Sequence, residues 1–109
     1  GRIFSEAVLN NLDVTFVRIY LSESEGLLED LLKRLHDEEK VQGVTVFRGI
    51  SGFGKSGKLH SSSLLDMSLD LPLVMEFFDV PHKVDGILEH IRKDIEPGHI
   101  VSLQATLVV

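Results

Sequence analysis

The residues with the clearest chemical potential lie between Arg48 and Ser63, in a segment rich in glycine, serine and basic side chains. Four of the nine glycines fall within it, at positions 49, 52, 54 and 57. No acidic residue occurs between Glu39 and Asp66, although the whole chain has a formal net charge of -6. Glycine lets backbone N–H groups converge on a bound group, and lysine, histidine and serine add donors. This chemistry predicts an anion site, and phosphate is the anion that fits it best.

The predicted ligand site combines the cations and the backbone amides of this segment. Positive side chains and glycine amides would hold the charge, and His60 and Ser61 would orient it. A surface loop without a binding role has a similar composition, so composition alone leaves both interpretations open. The predicted ligand-binding residues are Arg48, Gly49, Gly52, Phe53, Gly54, Lys55, Gly57, Lys58, His60 and Ser61.

Two familiar phosphate-binding motifs nearly fit the same segment, and both fail. Residues 52–57 satisfy the pattern GxGxxG, but no helix opens after Gly57 and the chain is too short for a doubly wound sheet. The pattern GxxxxGK ends at Lys58, but Leu59 stands where a P-loop needs a hydroxyl to hold Mg²⁺. Neither a dinucleotide-binding enzyme nor an NTPase is predicted.

The remaining titratable residues show no pattern that supports catalysis. The chain has five histidines and no cysteine, and no histidine spacing matches a known metal motif. Glu76 lies among apolar neighbours on a predicted strand, which favours an edge position or an ion pair between subunits over a general acid. Because no catalytic residue is identified, we expect a protein that is not an enzyme.

Composition and charge exclude several classes of partner. The net charge of -6 argues against nucleic-acid binding, and six phenylalanines, one tyrosine and no tryptophan leave few surfaces for base stacking. No apolar stretch approaches the ~18 residues of a membrane span, so no membrane insertion is expected. The absence of cysteine fits a reducing compartment, and a cytoplasmic protein is expected.

Apolar alternation predicts four strands that must position the glycine-rich segment. β-branched and aromatic residues dominate the first strand, and strict alternation marks the last. The stretch from Leu64 to Leu71 alternates only in part and remains ambiguous. The predicted strands cover residues 14–21, 44–47, 73–78 and 101–107.

Two helices are predicted between these strands. Ser22 and Glu25 have the spacing of a capping box, so the first helix should begin near them, and Gly43 ends that region. Pro81 suits the first turn of the second helix, which stops at residues 97–98. The order β-α-β-β-α-β is the ferredoxin-like arrangement of the α+β class: a four-stranded antiparallel sheet with two helices on one face.

The face of this sheet that the helices leave uncovered is predicted to be apolar. Such a face should be polar where it meets water. The first strand instead places Phe16 and Tyr20 on one side and Val17 and Ile19 on the other. We therefore expect a second subunit to cover the open face, so that the chain forms a homo-oligomer.

The segment from Val44 to Phe78 resembles the uncharacterised PII-like family known as domain of unknown function 190. The resemblance rests on three runs: GVTVFRGISGFG, beginning at Gly43; HSSS, beginning at His60; and DLPLVMEF, ending at Phe77. With the order of the flanking elements it covers residues 12–109, a single PII-like domain that follows an N-terminal extension of residues 1–11.

This family is similar to the PII signalling proteins and the CutA-type divalent-cation-tolerance proteins. The resemblance implies a homotrimer with its sheets inward and a small phosphorylated ligand, such as an adenine nucleotide, at clefts between subunits. It also implies that the loop at 51–63 contacts a regulated protein partner, and that ligand binding orders this loop. The PII nucleotide-binding motif has no counterpart after the third strand, where residues 79–81 form a short connection.

Two functions therefore follow from the resemblance. The first is a PII-like signal-transduction protein that binds its ligand through the basic glycine-rich loop. The alternative is a CutA-type metal-binding homeostasis protein that would use His60, Glu76 or His99 across an interface.

Overall fold

The four predicted runs of β-branched and aromatic residues form strands. The computed structural model of the protein describes residues 11–53, 60–61 (backbone only) and 71–109. The four predicted strands are present within one or two residues of their expected ends, and two short strands lie between the second and third of them. The strands are β1 (Leu12–Ser22), β2 (Val44–Arg48), β3 (Ser51–Gly52), β4 (His60–Ser61), β5 (Pro72–Asp79) and β6 (Ile100–Leu107).

The four longer strands form one antiparallel sheet in the order β2-β5-β1-β6. This arrangement places β5 and β1 at the centre and leaves β2 and β6 at the edges. The short strands β3 and β4 form a separate antiparallel ladder, in which Ser51 pairs with Ser61 and Gly52 with His60. The glycine-rich segment was predicted to be a loop throughout, so this ladder is a correction.

The two predicted helices are present, but the first begins later than its capping pattern indicates. The amide of Ser22 donates to Oε1 of Glu25 at 2.7 Å, and the contact opens only a 3₁₀ turn, Glu23–Glu25. Gly26 then adopts a φ of 69°, a left-handed conformation that favours glycine and ends the turn. Helix α1 follows at Leu28–Lys33 and continues as a π-helical turn, Arg34–Glu38.

The second helix begins where proline predicts. Val80 is extended, Pro81 opens the first turn, and helix α2 spans Pro81–Ile91 before a 3₁₀ turn at Arg92–Asp94. An ion pair joins this end of α2 to α1, since Nη1 of Arg34 donates to Oδ2 of Asp94 at 2.7 Å.

The core lies between the helices and one face of the sheet. Alternate residues of β1 and β5 project onto this face, and the leucine and isoleucine stripes of the helices pack against them. The predicted α+β fold, with both helices on one side of a four-stranded antiparallel sheet, is confirmed. The buried core residues are Val17, Ile19, Leu21, Leu31, Leu35, Leu73, Met75, Phe77, Val84, Ile87, Ile91 and Ile95.

Two sequence-based predictions concern residues that lie mainly outside the described ranges. Of the predicted N-terminal extension, residues 1–11, only Asn11 is described. Of the ambiguous stretch Leu64–Leu71, only Leu71 is described. Among the described residues, no helix has both the length and the apolar character needed to cross a lipid bilayer.

Candidate functional site

The structure describes some of the predicted ligand-binding residues in full, some by their backbone only, and some not at all. The residues nearest β2 are described with their side chains, whereas both lysines lie beyond the described ranges. The roles assigned to the undescribed residues stay predictions. Arg48, Gly49, Gly52 and Phe53 are described in full, His60 and Ser61 by their backbone only, and Gly54, Lys55, Gly57 and Lys58 lie outside the described residues.

The glycine-rich segment is anchored where it leaves β2. Arg48 is the last residue of that strand, and its Nη2 donates to Oε2 of Glu23 at 2.6 Å. The Arg48 side chain is 62% exposed and that of Glu23 21% exposed. The Arg48 guanidinium, one of the predicted cations, therefore lies at the start of the segment and is open to solvent. The Glu23 carboxylate beside it was not indicated by the sequence.

Gly49 lies directly against the first residue of β5. Its amide donates to the carbonyl oxygen of Pro72 at 2.7 Å. A Cβ at Gly49 would lie 3.3 Å from that oxygen and 2.7 Å from Cγ of Pro72, and the second distance is shorter than real Cβ contacts. Glycine is thus required here by close approach of the two chain segments rather than by its backbone angles.

Gly49→Ala is expected to destabilise the protein by about 1–3 kcal/mol, because the proline ring and its backbone must move away from the added methyl group. The matched control is Gly86→Ala. A Cβ at Gly86 meets no atom within 4 Å, and alanine in a helix interior is worth up to ~1 kcal/mol over glycine. Urea unfolding of both variants checks the pair, and equal free energies of unfolding would contradict the close-approach argument.

The β3–β4 ladder lies next to this anchor and brings the backbones of predicted ligand residues together. Gly52 pairs with His60, so two residues eight positions apart in the sequence are neighbours. Ile50 and Phe53, on either side of β3, both expose large apolar side chains. The ladder therefore combines the backbones of predicted ligand-binding residues with exposed apolar side chains.

The open face of the sheet carries the apolar side chains that the sequence predicted. Residues on alternate positions of all four long strands project away from the helices, and large hydrophobic side chains on this face are half exposed. We use the name open face for these residues: Phe16, Arg18, Tyr20, Thr45, Phe47, Val74, Glu76, Phe78, Val101, Leu103 and Ala105.

One ion pair lies at the centre of the open face. Arg18 and Glu76 are directly opposite each other on β1 and β5, and Nε of Arg18 donates to Oε2 of Glu76 at 2.8 Å. Contact with the Tyr20 hydroxyl and then with the Glu76 carboxylate raises the pKa of the Arg18 guanidinium, so Arg18 remains charged. The expectation that Glu76 lies at an edge or pairs between subunits is corrected, because the β1–β5 register supplies its partner within the chain.

Two cavities flank this ion pair. The first, of about 310 Å³, lies at the start of β2 and combines the aromatic rings of Phe16 and Phe78 with the polar side chains of Gln42, Thr45 and Glu76. Gln42 and Thr45 were not singled out in the sequence, because a lone amide and a lone hydroxyl carry no motif. The second, of about 330 Å³, lies between β1 and β6 and is lined by Phe16, Arg18, Tyr20, Val101, Leu103 and Ala105.

The described residues contain no group of three or more histidine, cysteine, aspartate or glutamate side chains that could hold a metal ion. Of the three residues named for a metal site, Glu76 is paired with Arg18. Nδ1 of His99 is buried and has no hydrogen-bond partner, while its Nε2 lies 4.0 Å from Oε2 of Glu96. The side chain of His60 lies outside the described part of the chain.

Comparison with known proteins gives a family and a set of sequence relatives. The family described as Uncharacterized ACR (DUF190) matches residues 14–107. A UPF0166 protein of Aquifex aeolicus is 34% identical over 84 residues, which cover 77% of this chain and 85% of the relative. A UPF0166 protein of Methanocaldococcus jannaschii is 24% identical over 89 residues, covering 78% of this chain and 82% of the relative.

Two solved structures with the same fold are described as PII-like proteins. CPII from Thiomonas intermedia K12, described as a nitrogen regulatory PII-like protein bound to ADP, AMP and bicarbonate, has a TM-score of 0.68 and 17% identity, with 92% of each chain covered. A putative PII-like signaling protein from Thermus thermophilus has a TM-score of 0.62 and 14% identity, with 91% of each chain covered. At these identities the similarity establishes the PII-like fold of this chain.

Proposed function

This chain belongs to the DUF190 family, and we propose that it is a PII-like signalling protein that binds a small phosphorylated ligand at clefts between identical subunits. Its fold is that of PII-like proteins, of which CPII binds ADP, AMP and bicarbonate. We propose an adenine nucleotide as the ligand, and we propose that the protein acts by binding it rather than by turning it over.

The anchored root of the basic segment is the observation that carries this proposal. Arg48 is solvent-exposed at the end of β2, where the Gly49–Pro72 contact fixes the backbone that presents it. A guanidinium in a fixed position forms paired hydrogen bonds to phosphate oxygens. The predicted cations Lys55 and Lys58 follow within ten residues in the sequence and would add charge to the same site.

The apolar open face supports the proposal that the ligand binds at clefts between subunits. Contiguous apolar surface on a folded chain marks an interaction site, and exposed large apolar side chains recur on all four long strands of this face, around the Arg18–Glu76 pair. A second and a third copy packed on this face would also cover the cavity beside Phe16 and Phe78. Aromatic and apolar lining with a few polar groups is typical of sites for a planar base.

Calorimetric titration of the chelator-treated protein with ATP, ADP and AMP, with and without Mg²⁺, tests the proposal. We expect saturable binding at about one site per subunit. Arg48→Ala should weaken it tenfold to a hundredfold, the range of a lost hydrogen bond to a charged group. Arg92→Ala is the matched control, because it removes an exposed arginine at the end of α2.

Equal affinities of wild type and Arg48→Ala would contradict the assignment of the site. An absence of heat with every nucleotide, together with a metal retained until chelation, would favour the CutA-type alternative. Chromatography of ADP after overnight incubation should return it unchanged, and its hydrolysis would contradict the proposal that the protein only binds.

A further inference from the structure

The Arg48 guanidinium already has an anionic partner. Oε2 of Glu23 lies 2.6 Å from Nη2 of Arg48, which is the geometry a phosphate oxygen would adopt at the same group. Glu23 comes from the 3₁₀ turn after β1, on a different element from Arg48. The contact is therefore a feature of the folded chain and not of the glycine-rich segment itself.

Glu23 also contacts Leu71, the residue before β5. Its Oε1 accepts from the amide of Leu71 at 3.4 Å, and its own amide donates to the carbonyl oxygen of Leu71 at 3.3 Å. One carboxylate thus contacts both Arg48, at which β2 ends, and Leu71, the residue before β5.

We propose that Glu23 is an internal competitor for the ligand at Arg48. An arriving phosphate displaces the Glu23 carboxylate from the guanidinium, and the displaced carboxylate releases the Leu71 amide. This inference rests on the proposed function and assigns its regulation. Because the two anions compete for one cation, ligand binding and the contacts of the Glu23 carboxylate with Arg48 and Leu71 oppose each other.

Glu23→Gln is the direct test. Glutamine has the same shape and retains an amide oxygen for Leu71, but it lacks the charge that competes for Arg48. We expect ADP to bind Glu23→Gln about two- to fivefold more tightly than wild type, the range of an exposed ion pair. Adenosine, which has no phosphate to contact Arg48, should bind both proteins equally.

Glu25→Gln is the control variant. It removes one carboxylate from the same turn, but that carboxylate accepts from the amide of Ser22 and not from Arg48. Its affinity for ADP should equal that of wild type. If Glu25→Gln gained as much affinity for ADP as Glu23→Gln, the gain would be a general effect of charge. That result would contradict the role of Glu23 as a competitor.

Amide hydrogen exchange at Leu71 gives a second readout. Saturating ADP should accelerate this exchange in wild type, because displacement of Glu23 removes the acceptor of the Leu71 amide. Slower exchange of the Leu71 amide with ADP, or equal ADP affinities of wild type and Glu23→Gln, would contradict the competitor role of Glu23. Either result would leave the proposed function intact. Failure of both proteins to bind ADP would overturn the competitor and the proposed function together.

Discussion

Leu103→Glu is expected to prevent the proposed trimer from forming and to leave folded monomers. Leu103 lies on the open face opposite Phe16, is 51% exposed in the single chain, and lines the cavity between β1 and β6. In a monomer the new carboxylate stays in water, so folding should change by less than about 0.5 kcal/mol. Beneath a second subunit it would lose its hydration beside Arg18, whose charge Glu76 already neutralises, so one negative charge would be buried uncompensated at a cost of several kcal/mol.

Sedimentation velocity measures this effect directly. Wild type should sediment as a trimer and Leu103→Glu at one third of that mass, with unchanged circular dichroism. Gln104→Glu is the control, since Gln104 adjoins Leu103 but projects from the opposite side of β6. A trimer of Leu103→Glu, or a wild-type monomer at micromolar concentration, would contradict the role of the open face.

The same variant connects assembly to ligand binding. If the ligand lies at clefts between subunits, Leu103→Glu should lose ADP binding even though Arg48, Glu23 and Gly49 are unchanged. Binding of ADP by the monomer with wild-type affinity would place the whole site within one chain. That result would separate the binding proposal from the assembly proposal.

The fold was predictable because its signals are local and repeated. Alternate residues on the core side are apolar from Val17 to Leu21 in β1 and from Leu73 to Phe77 in β5, and leucine and isoleucine recur at helical spacing in α1 and α2. Pro81 marks a helix start that needs no tertiary contact to be recognised. The sequence places apolar residues on both faces of β1, so the apolar side chains on the uncovered face of the sheet could also be predicted.

The site was predictable only in part, because its contacts join residues distant in sequence. Arg48 was identified by its charge, but its partner Glu23 lies 25 residues earlier, in a turn that the capping pattern assigned to a helix. Gly26 ends that turn through a left-handed φ, which no spacing rule indicates. The β3–β4 ladder is built from serine, glycine and histidine, which have little preference for strands.

The Arg18–Glu76 ion pair on the open face is expected to affect the association of subunits strongly. In the single chain the side chains of Arg18 and Glu76 are 43% and 17% exposed, so water screens the pair and its removal should alter folding little. Assembly would bury both charges. Arg18 cannot lose its proton to avoid this, because its neighbours raise its pKa further.

Glu76→Leu should therefore weaken trimer association by about a hundredfold or more, since it leaves the Arg18 charge buried without a partner. The double variant Arg18→Met/Glu76→Leu removes both charges and should associate at least as tightly as wild type. Sedimentation equilibrium over a range of concentrations measures all three association constants.

Only burial of the ion pair in an interface predicts that the single variant associates more weakly than both wild type and the double variant. A pair that remained exposed in the assembled protein would make the single and double variants nearly equal, because a lone arginine in water carries no desolvation cost. The Leu103→Glu background supplies the internal comparison. In those monomers Glu76→Leu should leave the free energy of unfolding close to that of its parent, and a large loss there would assign the pair to folding rather than to assembly.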